Sequence, residues 1–100
     1  MIINNITINI ERELEAEWLS WMQKEALPAV LTSNSIKGNS SLKLLTEVEG
    51  AGATYTFQFH FESITDYQTL NSSPANLLYS LHHKLYQGKF VLFETLLEQL

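Results

Sequence analysis

The chain has 100 residues, 45% of them apolar and 17% charged, with a formal net charge of −5; that is the make-up of one globular domain large enough to bury a core. Six Lys and Arg residues form no basic footprint, so neither nucleic acid nor an anionic membrane surface is an expected partner. Cysteine is absent, which excludes disulfides, thiolate catalysis and Cys-based zinc sites, and no apolar run approaches the roughly 20 residues of a membrane span.

The opening MIINNITINI lacks the basic start and small-residue cleavage site of a signal peptide, so a cytoplasmic location is expected. It alternates instead. Ile6, Ile8 and Ile10 share one face and Asn5, Thr7 and Asn9 the other, which predicts a strand over Ile2 to Ile10. From Glu11 to Ala26 the period becomes helical: Leu14, Trp18, Trp21, Met22 and Glu25 fall on one face. Glu11, Glu13, Glu15 and Glu17 crowd the start, where the helix dipole favours carboxylates. Pro28 suits a first turn and not a helix interior, so a bend is expected before a short helical turn, Pro28 to Leu31.

After the polar run Thr32 to Ser35, and an ambiguous stretch from Ile36 to Ser40, a second strand is expected over Ser41 to Val48. Its two faces read Leu42, Leu44, Thr46, Val48 and Lys43, Leu45, Glu47. Gly50-Ala51-Gly52 turns the chain into Ala53 to Phe61, so the two strands form an antiparallel hairpin. This third strand alternates without a break: Ala53, Tyr55, Phe57, Phe59 and Phe61 on one side, Thr54, Thr56, Gln58 and His60 on the other. Such a strand needs helices against its aromatic face. Ser63 with Asp66, then Ser73 with Pro74, are helix-start signals. Leu77, Leu78, Leu81 and Leu85 make a stripe for the second long helix, closed by Gly88. The last strand, Lys89 to Leu97, is apolar on both faces.

Strand, helix, strand, strand, helix, strand is the split βαβ, or ferredoxin-like, order: an α+β domain over residues 1–100, its four-stranded antiparallel sheet covered on one face by two helices. The first and aromatic strands should be central and the other two should be edges.

Several stretches together are similar to a known family. Asn5-Ile6-Thr7, Glu17-Trp18-Leu19 with Trp21-Met22, Pro28-Ala29-Val30-Leu31, Thr54-Tyr55-Thr56-Phe57-Gln58-Phe59 and the closing Phe90-Val91, Phe93-Glu94-Thr95-Leu96-Leu97-Glu98 resemble the domain-of-unknown-function family numbered 4286, small bacterial proteins of this length. Glu94 departs from the pattern, which carries a basic residue there more often. The resemblance implies a dimeric α+β barrel, in which two ferredoxin-like sheets pair, and carries over no catalytic residue. The wider fold group holds cofactor-independent monooxygenases, isomerases and haem enzymes, so fold alone decides no chemistry.

Four residues are candidate ligand contacts: Trp18, Trp21, His60 and Tyr79. The two tryptophans line an apolar cavity between helix and sheet or are simply core, the commoner role for such a stripe. His60 anchors a polar pocket or belongs to a solvated or dimer-facing polar stripe. Tyr79 and Tyr86 flank the tryptophans. His82 and His83 are adjacent and project about 100° apart on a helix, so no metal is expected there. Neither a Gly-rich phosphate loop nor a nucleophile elbow is present, and no cofactor is expected. Three functions remain open: a binding module for a small apolar molecule, a cofactor-independent monooxygenase or isomerase, and a structural dimer. The scarcity of buried polar candidates weighs against an enzyme. A homodimer is expected in each case, because Phe90 to Phe93 are apolar in succession on an edge strand and Leu45 adds to the open face of the other edge.

Overall fold

In the computed structural model, which describes residues 1–46 and 50–100, the two alternating stretches lie side by side. β1 (Ile2–Ile10) pairs antiparallel with β3 (Ala53–Phe61) along its whole length, Ile2 opposite Phe61 and Ile10 opposite Ala53. β4 (Phe90–Glu98) lies on the other side of β1, and β2 (Gly38–Lys43) on the other side of β3. The sheet order β2-β3-β1-β4, all antiparallel, is the ferredoxin-like one. Ile6, Ile8, Ile10, Phe59 and Phe61 face the helices with no exposed surface. Gly52, in the turn just before β3, has φ +79, and a Cβ there would lie 2.6 Å from the Ile10 carbonyl oxygen; only glycine fits that turn.

Over the sheet, a short 3-10 turn (Arg12–Leu14) leads into α1 (Glu15–Trp21), a π-helical turn (Met22–Ala26) and α2 (Leu27–Val30). No break in the helical path precedes Pro28; a π-helical turn stands where the bend is expected. The Leu27 amide donates five residues back to the Met22 carbonyl, and this wider turn takes Pro28 into the first turn of α2, with helical dihedrals at Ala26 and Leu27 before it. Trp18, Met22, Ala26 and Val30 are buried, while Glu25 turns out to solvent. α3 (Ile64–Gln68) and α4 (Pro74–Tyr86) start where the capping signals lie: Ser63 Oγ accepts from the Asp66 amide at 3.2 Å and Ser73 Oγ from the Asn76 amide at 3.1 Å. Tyr67 and Leu70 close the end of the core near Phe61.

Two further expectations are corrected. The buried side of α4 is Ala75, Leu78, His82 and Tyr86; Leu85 is 60% exposed and Leu77 and Leu81 only half-buried. The helix is rotated because a polar group on α1 requires a partner from α4, described below. β2 is shifted upstream of the expected Ser41 to Val48. Gly38 to Ser40 join it, pairing opposite His60 to Gln58, and Leu44 to Thr46 lie beyond its end. Glu47 and Val48 lie outside the described residues. Lys43 takes the helix side, where its ammonium sits 2.9 Å from Glu15 Oε2 and over the Tyr55 ring. Tyr55 donates its hydroxyl to the same carboxylate oxygen at 2.7 Å. These contacts place Leu42 on the open face, while Leu45 lies beyond the end of the strand and is exposed.

Candidate functional site

The four sequence candidates do not share a site. Trp18 is fully buried, its ring 5.1 Å from Tyr55 and 6.0 Å from Phe57, and no exposed surface remains. Its indole N–H donates to His82 Nε2 at 2.8 Å, and His82 Nδ1 lies 2.6 Å from the Leu78 carbonyl oxygen. A carbonyl only accepts, so Nδ1 carries the ring proton and His82 is neutral. Both ring nitrogens are thereby engaged. His83, next in sequence, is exposed and stacks on Tyr79 at 6.0 Å.

Burial lowers the His82 pKa below the usual 6.5, the Leu78 hydrogen bond opposing it. The unfolded chain then binds a proton that the folded chain refuses. Stability should be full above about pH 6.5 and decline as the pH falls from there toward the depressed folded value. Denaturation midpoints between pH 8 and 5 should show this slope, and it should be much reduced in His82→Gln, which cannot titrate. An unchanged slope would mean that His82 is not the group responsible.

Trp21, one turn of chain away from Trp18, is half-buried and reaches the surface. It walls a groove of about 230 Å³ together with Glu25, Ala26 and Ala29 on one side and Leu81, Lys84 and Leu85 of α4 on the other. The two alanines make the depression, and the π-helical turn presents Glu25 and Ala26 to it. The lining is apolar, with Glu25 and Lys84 as its charged groups. Tyr79 lies elsewhere on α4, 52% exposed and edge-on to Phe90.

His60 is on the opposite, open face of the sheet. There Gln58 Nε2 donates to Asn5 Oδ1 at 3.2 Å, and Asn9 Nδ2 donates to Thr54 Oγ1 at 2.9 Å and to the Ala51 carbonyl at 2.7 Å. The polar groups of the stripe thus bond one another, as expected for cross-strand pairs. His60 Nε2 is enclosed without a hydrogen-bond partner among the described residues. Register assigns Val91, Phe93 and Leu97 of β4 to this face and Phe90 and Leu92 to the helix side. Leu42 stands at the other margin.

One cluster has no counterpart among the sequence candidates. Asn4 sits on the helix side of β1 in series with Ile2, Ile6, Ile8 and Ile10, and has no exposed surface. Its Nδ2 donates to Glu94 Oε2 at 2.8 Å, and the Tyr67 hydroxyl donates to the same oxygen at 3.2 Å. Partial burial and the Glu94 charge raise the Tyr67 pKa. The signal was present in β1: an asparagine where the alternation calls for an apolar residue.

A four-stranded antiparallel sheet with helices on one face and a half-apolar open face defines a ferredoxin-like α+β fold. The chain belongs to the family DUF4286, a domain of unknown function, whose model matches residues 1–100. No curated protein matches it. Among solved structures it is similar to an ethyl tert-butyl ether d (ethd) family protein of Bacillus halodurans, at 9% identity over 100% of both chains and a TM-score of 0.67. It is similar also to a dimeric ferredoxin-like protein from an uncultured marine organism, at 17% identity over 99% of this chain and 94% of that one, TM-score 0.62. A hydroxynitrile lyase from Passiflora edulis matches at 15% identity over 99% and 95%, TM-score 0.59. At such identities the likeness is one of fold alone. No helix among the described residues is long and apolar enough to cross a membrane.

Proposed function

We propose that the protein is a homodimeric binding module that pairs two sheets through their open faces and holds a small, largely apolar molecule in each subunit. The groove beside Trp21 carries this reading. It is open to solvent, walled by Ala26, Ala29, Leu81 and Leu85, and backed by an indole. Binding sites of this kind are concave and mostly apolar with few polar groups. A monooxygenase or isomerase needs polar groups converging on the reacting atoms; here, among the described residues, Glu25 and Lys84 are the charged lining groups in an otherwise apolar groove, which favours binding over catalysis. Trp18 supports the groove from within through His82, whose ring lies 4.9 Å from that of Trp21. The dimer draws support from the apolar margins of the open face and from the dimeric relative.

The test is a titration with toluene followed by NMR, in which the Trp21 indole N–H resonance reports on the groove and that of Trp18 on the core. A saturable shift confined to Trp21 is the expected result, lost in Ala29→Phe, which fills the groove from a half-buried position. The reading fails if wild type shows no saturable shift, or if Ala29→Phe responds equally.

A further inference from the structure

We propose that Asn4, Tyr67 and Glu94 form a second binding site, one for a small primary ammonium carried on an apolar body. The assignment follows from which atoms of the cluster remain unused. The Asn4 amide and the Tyr67 hydroxyl both direct a donor at Glu94 Oε2. Among the described residues, what is left over accepts: Glu94 Oε1, since both bonds go to Oε2, and Asn4 Oδ1, which is buried without a partner. A buried carbonyl oxygen left without a donor is destabilising, and an apolar residue at position 4 would avoid that cost. Buried groups kept at a cost of this kind are where function is expected.

Charge points the same way. No Lys or Arg among the described residues forms an ion pair with Glu94; the ammonium and guanidinium groups of Lys43, Arg12 and Lys89 pair with Glu15 and Glu11. A ligand for two free acceptors beside an uncompensated carboxylate must bring donors and positive charge, and an ammonium supplies up to three N–H groups. An anion would be repelled. The surroundings set the rest of the ligand. Tyr67 stands edge-on to Phe61 at 5.5 Å, Leu70 is half-buried nearby, and Leu96, paired with Asn4 across the strands, is 43% exposed. Glu94 and Leu96 open the cluster to solvent along the β4 edge. On the other flank Tyr67 is carried by α3, a five-residue helix with no fully buried residue, and its half-buried ring closes that side of the cluster.

The test uses benzylammonium, with benzyl alcohol and benzoate as the uncharged and anionic equivalents. The Asn4 side-chain amide resonances and the melting temperature report on binding. Benzylammonium should shift both saturably, and neither equivalent should. Glu94→Gln keeps the shape of an exposed side chain and removes its charge, and should weaken binding at least tenfold with the fold unchanged. Glu94→Asp retains the charge and should retain the response. Equal responses to benzylammonium and benzyl alcohol, an undiminished response in Glu94→Gln, or none in wild type overturns the assignment. The Trp21 indole resonance separates these outcomes from occupancy of the groove.

Discussion

Trp18→Ala should destabilise the domain by about 3–5 kcal/mol, as large-to-small changes at buried aromatic positions do. Stabilities of whole domains are ~5–15 kcal/mol, so this one substitution removes a large share of the total. The indole is fully buried against Tyr55, Phe57 and His82, and its loss leaves a cavity and an unpaired His82 Nε2 together. Chemical denaturation measures the loss. Trp18→Phe separates the two contributions, since it keeps most of the ring and removes the N–H. If the hydrogen bond matters, Trp18→Phe and His82→Phe should each cost more alone than the double variant predicts, with a coupling of about 0.5–3 kcal/mol. Strict additivity would reduce the pair to simple packing.

Phe93→Asp should convert a species of about twice 11.4 kDa into one of 11.4 kDa. Phe93 lies on the open face of β4 and is 56% exposed in the single chain, with Val91 and Leu97 on the same side. Burying such a side chain contributes about 1.5–3 kcal/mol. Two-fold symmetry counts each residue twice, so its loss alone raises the dissociation constant ~10²–10⁴-fold, and an unpaired carboxylate raises it further. Light scattering coupled to chromatography reads the mass. Leu85→Asp is the control: equally exposed, but on the helix layer, it should leave the mass unchanged. A wild-type chain that runs at 11.4 kDa at micromolar concentration would remove the sheet-paired dimer outright.

Much of this molecule is legible in the order of its residues. Period-two alternation set β1 and β3, because side chains on a strand must take opposite faces and one set here is apolar. Ser63 and Ser73 marked two helix starts, because a hydroxyl there satisfies amides that the helix leaves free. Such signals act between near neighbours, and element order then restricts topology to few choices. Decisions between distant residues were not legible. The register of β2 depended on Lys43 reaching Glu15 and Tyr55, and β4 took sides only when Phe93 paired with Thr7. α4 buried a histidine ahead of Leu85 because an indole N–H from another helix needed an acceptor in the core. Asn4 could be read as a polar residue on an apolar face, but its partner stands 90 positions away. Hydrophobic patterning is a property of a segment; satisfaction of buried polar atoms is a property of the packed whole, and it was the packed whole that placed every candidate site in this protein.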